Sequence, residues 1–304
     1  MLIRVLAVSA ALLAATSAAA QETAPGARIE ATARSFVQPS NAARLDSVKA
    51  ALTTAGLPFT TQAFEGGNER TGPLPGTNVI VTLGAGEKDI VLTAHYDAVK
   101  LRDGSMSQGI VDNAGSVLAM IEAASALKEG LHAQPTSHRF IFVFTDQEEL
   151  GLIGARKWLE GHDKARIEAV VNADVAAYGE TVMYGENVGD QSAFVLRALR
   201  LQCAERGVDC VTFPVYPPSD DRVFSAAGVP VVSLGTQDAI GAHQMWLAFN
   251  GGKENGLAEG FVPPVFQRIH TAEDRIERLN GADVARFGLF VADLALRVSR
   301  EADR

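Results

Sequence analysis

The chain has 304 residues, of which 47% are hydrophobic and 21% are charged, a composition typical of a globular protein with a substantial core. Its formal net charge at pH 7 is −9, and its basic residues form no stripe along the sequence. A nucleic acid needs such a stripe, so we expect no nucleic-acid partner.

The first twenty residues have the features of a secretory signal peptide. Arg4 precedes an apolar stretch that ends in small residues, including Ala18 and Ala20. We predict a signal peptide over residues 1–20 and a single domain over residues 21–304, exported to the periplasm or secreted. The stretch is too short and too rich in alanine to favour a membrane anchor, so we expect no stable membrane association.

Cys203 and Cys210 are the two cysteines of the sequence. In an exported chain we predict that they form a structural disulfide, which would stabilise the fold by about 2.5 kcal/mol on the chain-entropy model. Two free thiols or a metal-binding pair are the alternatives. No further cysteine or adjacent histidine completes a thiolate metal site.

Apolar periodicity predicts strands and helices that alternate along almost the whole chain. The predicted strands span residues 57–64, 78–83, 89–96, 139–145, 169–175, 181–184, 211–215 and 229–234. The predicted helices are two within 29–52, then 118–128, 150–159, 190–205, 221–227 and 281–300. This order predicts an α/β fold, a three-layer sandwich with a mixed, mostly parallel central sheet flanked by helices.

Residues 236–268 interrupt this alternation. They contain several glycines together with aromatic residues such as Trp246, Phe261 and Phe266. We predict a long loop near the active site that walls a pocket, since connections of this length are usually functional or disordered. Packing of these aromatic residues as ordinary core is the alternative.

The strand predicted at residues 139–145 ends in a pair of acidic residues, Glu148 and Glu149. Open α/β sheets bind their ligands outside the carboxyl ends of their strands, so these carboxylates are candidates for catalysis or metal binding. The alternative is a solvated acidic loop that caps the following helix.

Further acidic and imidazole side chains follow other predicted strands. His95 and Asp97 lie on the same side of one strand end, where Asp97 can hold one ring nitrogen while the other binds a metal. Asp112, Asp174 and His270 also lie at ends of predicted elements. Each has a structural alternative, such as a helix cap for Asp112, but their joint occurrence favours a metal site.

Five motifs, in this order, carry a family resemblance. They are HYD at 95–97, GIVDNAGS at 109–116, FVFTDQEELGLIGA at 142–155, NADV at 172–175 and IHTAED at 269–274. The set resembles the di-zinc aminopeptidases of peptidase family M28, which include secreted bacterial leucyl aminopeptidases. The resemblance covers roughly residues 30–300.

The resemblance implies two Zn²⁺ ions per chain. One would be bound by His95, Asp112 and Asp174, and the other by Asp112, Glu149 and His270, with Asp112 bridging. It also implies two catalytic residues, Glu148 as the general base and Asp97 as the partner of His95.

Two features bear on how far the resemblance extends. Some relatives carry a tyrosine directly before the last ligand, where this chain has Ile269, and Tyr178 or Tyr216 are candidates to replace it. The sequence Ser219-Asp220-Asp221 also resembles a family element, and we predict that it caps the following helix.

The resulting prediction is a zinc-dependent exopeptidase, a metallo-aminopeptidase that hydrolyses the N-terminal bond of peptides with a free N-terminus. A carboxypeptidase or dipeptidase of the same fold, or a glutaminyl cyclase, is the alternative. The complete ligand set favours a two-metal hydrolase over a cyclase, which the resemblance associates with one zinc. A serine hydrolase is excluded because no G-x-S-x-G motif occurs.

Overall fold

The computed structural model describes residues 24–133 and 136–304. The predicted signal peptide at residues 1–20 lies outside this part of the chain. One helix, Ile110–Leu131, is long and apolar enough to cross a membrane, but 83% of its most apolar window is buried inside the fold. Such burial is typical of the core helix of a globular domain.

The described residues form helices and strands in the alternating order that the sequence predicts. The strands are β1 Phe59–Asn68, β2 Gly72–Leu83, β3 Lys88–His95, β4 His138–Thr145, β5 Ile167–Ala173, β6 Thr181–Gly185, β7 Cys210–Phe213 and β8 Val231–Gln237. The helices are α1 Pro25–Ala33, α2 Asn41–Thr54, α3 Gly115–Ala133, α4 Ile153–Glu160, α5 Ala193–Arg206, α6 Asp221–Ala226, α7 Ala239–Asn250 and α8 Gly281–Ala302.

All eight strands belong to one sheet, in the order β1-β2-β4-β3-β5-β8-β6-β7. The four central strands β4, β3, β5 and β8 run parallel, and β6 pairs in parallel with β7. Antiparallel pairs join β1 to β2, β2 to β4 and β6 to β8. The mixed, mostly parallel sheet of the prediction is therefore confirmed.

The central strands are buried along almost their whole length, which explains their nearly continuous apolar sequences. Helices α1, α2, α3, α5 and α8 pack together as one group. Helices α4 and α6 pack against each other and, with α7, against strands of the same sheet. Flanking helices on a central sheet are the predicted architecture.

The strand order changes direction at β3, because β4 is added on one side of it and β5 on the other. Connections that leave a strand toward opposite sides open a crevice at its carboxyl end, which is where α/β proteins bind ligands. The carboxyl ends of β3, β4 and β5 all lie at this crevice.

The prediction of a long loop over residues 236–268 is partly wrong, because part of this segment is helical. Residues Ala239–Asn250 form helix α7, and Asp238 caps it by accepting a hydrogen bond from the Gly241 N–H at 2.9 Å. Helix α4 starts at Ile153 rather than at residue 150, because Leu152 has a left-handed φ of 60°. The predicted disulfide between Cys203 and Cys210 is present and joins α5 to β7.

Candidate metal centre

The crevice at the end of β3 brings together the side chains that the sequence predicts as metal ligands. His95 is the last residue of β3, and Asp174 directly follows β5. Glu149 lies in the turn after β4, Asp112 lies in the kinked turn Ile110–Ala114 before α3, and His270 lies in the loop before α8. Segments far apart in sequence thus meet at one edge of the sheet.

The carboxylate of Asp112 lies between two imidazole rings. Its Oδ1 is 3.1 Å from Nε2 of His95, and its Oδ2 is 3.0 Å from Nε2 of His270. Nε2 of His95 is also 3.6 Å from Oδ1 of Asp174, and Nε2 of His270 is 3.1 Å from Oε2 of Glu149. Each oxygen of Asp112 therefore faces a separate group of potential ligands, the arrangement that a bridging carboxylate requires.

These distances are compatible with metal binding. Ligands placed tetrahedrally at 2.0–2.1 Å from a zinc ion lie about 3.3 Å from one another. Oε1 of Glu149 and Oδ1 of Asp174 are buried without a hydrogen-bond partner among the described residues. Because buried carboxylate oxygens need a cation or a donor, this combination of histidines and carboxylates suits zinc.

Glu148 lies in the same group. Its carboxylate, the ring of His95 and the carboxylate of Asp174 offer ligand atoms that all lie within 4.8 Å of one another, and Asp112, Glu149 and His270 do the same. Glu148 is thus close enough to act on a molecule bound beside His95.

The electrostatics of the site favour added positive charge. Burial raises the pKa of Glu148 to about 10, and the nearby carboxylates, such as Asp174, add to this effect. Hydrogen bonds from His270 to Asp112 and Glu149 raise the pKa of His270 to about 11. The protein's own charges therefore leave protons on Glu148 and His270 at neutral pH, and metal ions would compete for these positions.

Asp97 contacts the site in two ways. Nδ1 of His95 lies 3.3 Å from the main-chain oxygen of Asp97 and 3.4 Å from its carboxylate, so Asp97 faces the ring nitrogen that points away from Asp112. Its two carboxylate oxygens also accept the N–H groups of Glu148 and Glu149, each at 3.1 Å. Asp97 therefore holds both His95 and the acidic turn after β4.

Asp274 holds the turn that carries Asp112, a role that sequence reasoning missed. Its fully buried carboxylate accepts the main-chain N–H groups of Ile110 and Val111 at 2.8 and 2.6 Å, and that of Asp112 at 3.1 Å. Asp274 ends the motif IHTAED, but its partners lie more than 160 residues earlier, so local sequence could not identify them.

Asp220 does not cap α6 as predicted. No side-chain cap hydrogen bond starts that helix, and Oδ2 of Asp220 instead accepts the hydroxyl of Thr145 at 2.5 Å. Burial raises the pKa of Asp220 to about 7. Asp220 thus places a further buried carboxyl group behind the end of β4.

Unusual backbone conformations concentrate at the site. Four non-glycine residues of the described chain have left-handed φ values near 60°, and they include Gln147, Val175 and His270. Gln147 precedes Glu148, Val175 follows Asp174, and His270 is itself a candidate ligand. Such conformations cost roughly 1–3 kcal/mol each and persist where the surrounding structure enforces them, commonly at functional sites.

A cavity of about 260 Å³ opens beside the acidic residues. Its wall is mostly apolar and is contributed by β6, α7 and the segment before His270; it includes Met183, Met245, Val265, Phe266 and Ile269. Residues 236–268 therefore do contribute to a pocket wall, through α7 and through Val265 and Phe266.

The two candidate tyrosines differ in position. Tyr216 lines the cavity, whereas the ring of Tyr178 packs beneath the guanidinium of Arg268 at 4.9 Å and does not line it. A β-carbon at Gly235 would lie 2.7 Å from the Tyr216 hydroxyl, so glycine is required for this close approach. Tyr216 thus remains the better candidate to contact a bound substrate.

Comparison with known proteins identifies related sequences. A sequence model described as peptidase family M28 matches residues 78–295. The probable lipoprotein aminopeptidase LpqL of Mycobacterium tuberculosis is 28% identical over 273 residues, which cover 80% of this chain and 49% of LpqL. The chain spans about half the length of this relative.

Two solved structures share the fold. A Zn-dependent exopeptidase from Parabacteroides distasonis has a TM-score of 0.67 and 15% identity, with 89% of this chain and 97% of that chain covered. A glutaminyl cyclase from Porphyromonas gingivalis has a TM-score of 0.67 and 17% identity, with 88% and 96% covered. The predicted zinc-exopeptidase-like fold is confirmed.

Proposed function

The chain belongs to peptidase family M28, and we propose that it is a metallo-aminopeptidase that releases the N-terminal residue of peptides. We propose two zinc ions per chain, one bound by His95, Asp112 and Asp174 and the other by Asp112, Glu149 and His270. The position of Asp112, with one oxygen facing each imidazole, supports this allotment. Two bound zinc ions would polarise the scissile carbonyl and supply an activated water.

We assign Glu148 as the general base. Its carboxyl group adjoins the ligand atoms of His95 and Asp174, where a water between substrate and centre would lie. Without metal ions, burial raises its pKa to about 10; two bound cations would lower that pKa, so that the ionised carboxylate could take the proton from that water. It then donates the proton to the leaving amine, as hydrolysis of a peptide bond requires.

The observation that carries the choice of an aminopeptidase is the lack of lysine and arginine in the described lining of the cavity. A carboxypeptidase must bind the negative C-terminus of its substrate, for which a cationic side chain is needed. The described lining offers no such side chain, which favours a substrate bound at its N-terminus.

The apolar part of the cavity supports a preference for an apolar first residue. Met183, Met245 and Phe266 contribute flexible thioether and aromatic surface to the cavity wall. The proposed substrate is therefore a peptide with a free, apolar N-terminal residue. An acidic first residue would meet neither a cation nor a donor-rich wall.

Cyclisation of N-terminal glutamine is the second candidate function, because a glutaminyl cyclase matches the fold as closely as an exopeptidase does. Both functions recognise a free N-terminus. The position of Asp112 between two imidazoles, each of which also faces a further carboxylate, favours the two-metal hydrolase.

We further propose that the protein is exported. The signal-like sequence at residues 1–20 and the disulfide between Cys203 and Cys210 support this proposal. Detection of a mature chain that starts at Gln21 in a periplasmic or extracellular fraction tests it.

Metal content and peptide hydrolysis test the enzymatic proposal together. The purified mature protein is analysed for zinc and incubated with peptides that differ only in N-acetylation, and with a peptide that starts with glutamine. We expect about two zinc ions per chain and release of the first residue from free N-termini alone. Cleavage of acetylated peptides from the other end, or one zinc with cyclisation of glutamine, would overturn the proposal.

A further inference from the structure

Arg44 is a fully buried arginine on helix α2, before the part of the chain that matches the family model. Its guanidinium donates to four main-chain carbonyl oxygens: those of Tyr96 at 2.6 Å, Phe36 at 2.7 Å, Gln108 at 2.7 Å and Gly109 at 3.0 Å. Buried arginines are usually paired with carboxylates. Here the acceptors are all backbone groups, which indicates that this side chain fixes the main chain.

Two of the fixed segments carry proposed metal ligands. Tyr96 lies between His95 and Asp97, and Gly109 directly precedes the kinked turn that carries Asp112. A single planar group therefore sets the distance between the end of β3 and that turn. Asp112 and His95, which face each other at 3.1 Å, come from these two segments.

Arg44 and Asp274 hold the Asp112 turn from opposite sides. Arg44 donates to the carbonyl oxygens of the two residues before the turn, 108 and 109. Asp274 accepts hydrogen bonds from the N–H groups of the next three residues, 110–112. A cation on the carbonyl side and an anion on the N–H side match the direction of the peptide dipoles. The turn is thus fixed without use of the Asp112 carboxylate, which stays available for metal.

Arg44 stays protonated in this buried position. Burial lowers its pKa to about 10, while Asp97, Asp274, Asp112 and Glu149 raise it, so the group is charged at neutral pH. The guanidinium N–H donors therefore remain available to the four main-chain acceptors.

We propose that Arg44 is a positioning residue of the metal centre, which sets the spacing of His95 and Asp112 through the Tyr96 and Gly109 carbonyls. The inference rests on the proposed two-metal function. It also gives the N-terminal helices a part in the site, although they lie outside residues 78–295.

The test compares the full mature chain with Arg44→Lys, Arg44→Met and the control Arg139→Lys. Arg139 also makes an arginine-specific forked contact, with Asp89 at the opposite end of the sheet. Zinc affinity of each metal-free protein is measured by competition with a chromophoric chelator. The thermal midpoint of the metal-free protein, and kcat and KM at saturating zinc, are measured in parallel.

We expect Arg44→Lys to weaken zinc binding by roughly 10- to 100-fold, the usual range for residues that hold metal ligands in place. Lysine keeps the charge but cannot reach several carbonyls with one planar fork. Arg44→Met should lose more, because it makes none of the four hydrogen bonds to the main chain, and kcat should fall more than KM rises. Arg139→Lys should lower the thermal midpoint and leave zinc affinity unchanged.

A folded Arg44→Lys protein with wild-type zinc affinity would overturn the inference, as would an equal loss of affinity in Arg139→Lys. If Arg44→Met does not fold, the comparison of the two lysine variants decides. A wild-type protein that binds no zinc would overturn the proposed function and this inference together, whereas zinc binding unaffected by Arg44→Lys would overturn the inference alone.

Discussion

Replacement of Asp274 by asparagine tests whether the main chain around Asp112 is held in place for metal binding. Oδ1 of Asp274 accepts two N–H groups, from Ile110 and Val111, and Oδ2 accepts that of Asp112. Asparagine has one acceptor oxygen, which can keep the first two bonds. Its NH₂ group would then face the Asp112 N–H, donor against donor.

The expected cost follows from this geometry. A hydrogen bond to a charged group contributes about 1.5–3 kcal/mol, and the abandoned Asp112 N–H stays buried without a partner. A free-energy difference of about 1.4 kcal/mol corresponds to about a factor of ten in an equilibrium constant. If the lost hydrogen bond destabilises the conformation of the turn that binds zinc, zinc affinity should therefore fall about 10- to 100-fold.

The assay is zinc affinity by chelator competition, with thermal unfolding of the metal-free protein as the measure of stability. Asp283→Asn is the matched control, since Asp283 accepts one main-chain N–H, from Gly179 at 2.8 Å, at the start of α8. It should lower stability slightly and leave zinc affinity unchanged. Wild-type zinc affinity in a folded Asp274→Asn protein would show that the turn does not need this carboxylate.

Three further predictions concern catalysis, protons and specificity. Glu148→Gln should keep about two zinc ions and lose turnover by roughly 10²- to 10⁴-fold, whereas Glu149→Gln should lose zinc; near-normal turnover in Glu148→Gln would contradict its assignment as base. Zinc titration by calorimetry at pH 7 in two buffers should detect proton release, because hydrogen bonds to Asp112 and Glu149 raise the pKa of His270 to about 11 and burial raises that of Glu148 to about 10. Affinity should rise with pH as fewer protons compete; equal observed heats in two buffers of different ionisation enthalpy would mean that no protons are released and would refute this. Phe266→Ala should shift kcat/KM from large toward small apolar first residues by roughly tenfold at unchanged zinc content; an unchanged preference would mean that this ring serves packing alone.

The sequence predicts the sheet well where strands are buried and less well at its edge. The predicted strands 139–145 and 169–175 match β4 and β5 within two residues. In contrast, β2 begins at Gly72, in a stretch with Pro73 and Pro75 that suggests a turn. Residues 72–78 pair only with the edge strand β1, and β4 pairs with β2 from Val79 onward. Proline is tolerated there because one side of the strand needs no N–H donor.

Sequence motifs located the proposed metal ligands and Asp97, the partner of His95, but not the roles of Arg44 and Asp274. Each proposed ligand is a histidine or an acidic residue at the end of a predicted element, so both its residue type and its position in the sequence pointed to a metal site. Arg44 and Asp274 act through main-chain atoms 52 to 65 and 162 to 164 residues away. Main-chain donors and acceptors occur at nearly every residue, so a sequence motif cannot identify contacts to them.

The way in which the ligands are held bears on what metal binding must accomplish. Carboxylates repel one another, so mutual attraction cannot bring Asp112, Glu149 and Asp174 together. The described contacts instead fix the main chain: Asp97 holds the turn of Glu149, and Asp274 and Arg44 hold the turn of Asp112. Such contacts would hold the loops in a shape suited to zinc, so that the free energy of the proposed zinc binding would displace protons and neutralise charge rather than order the chain.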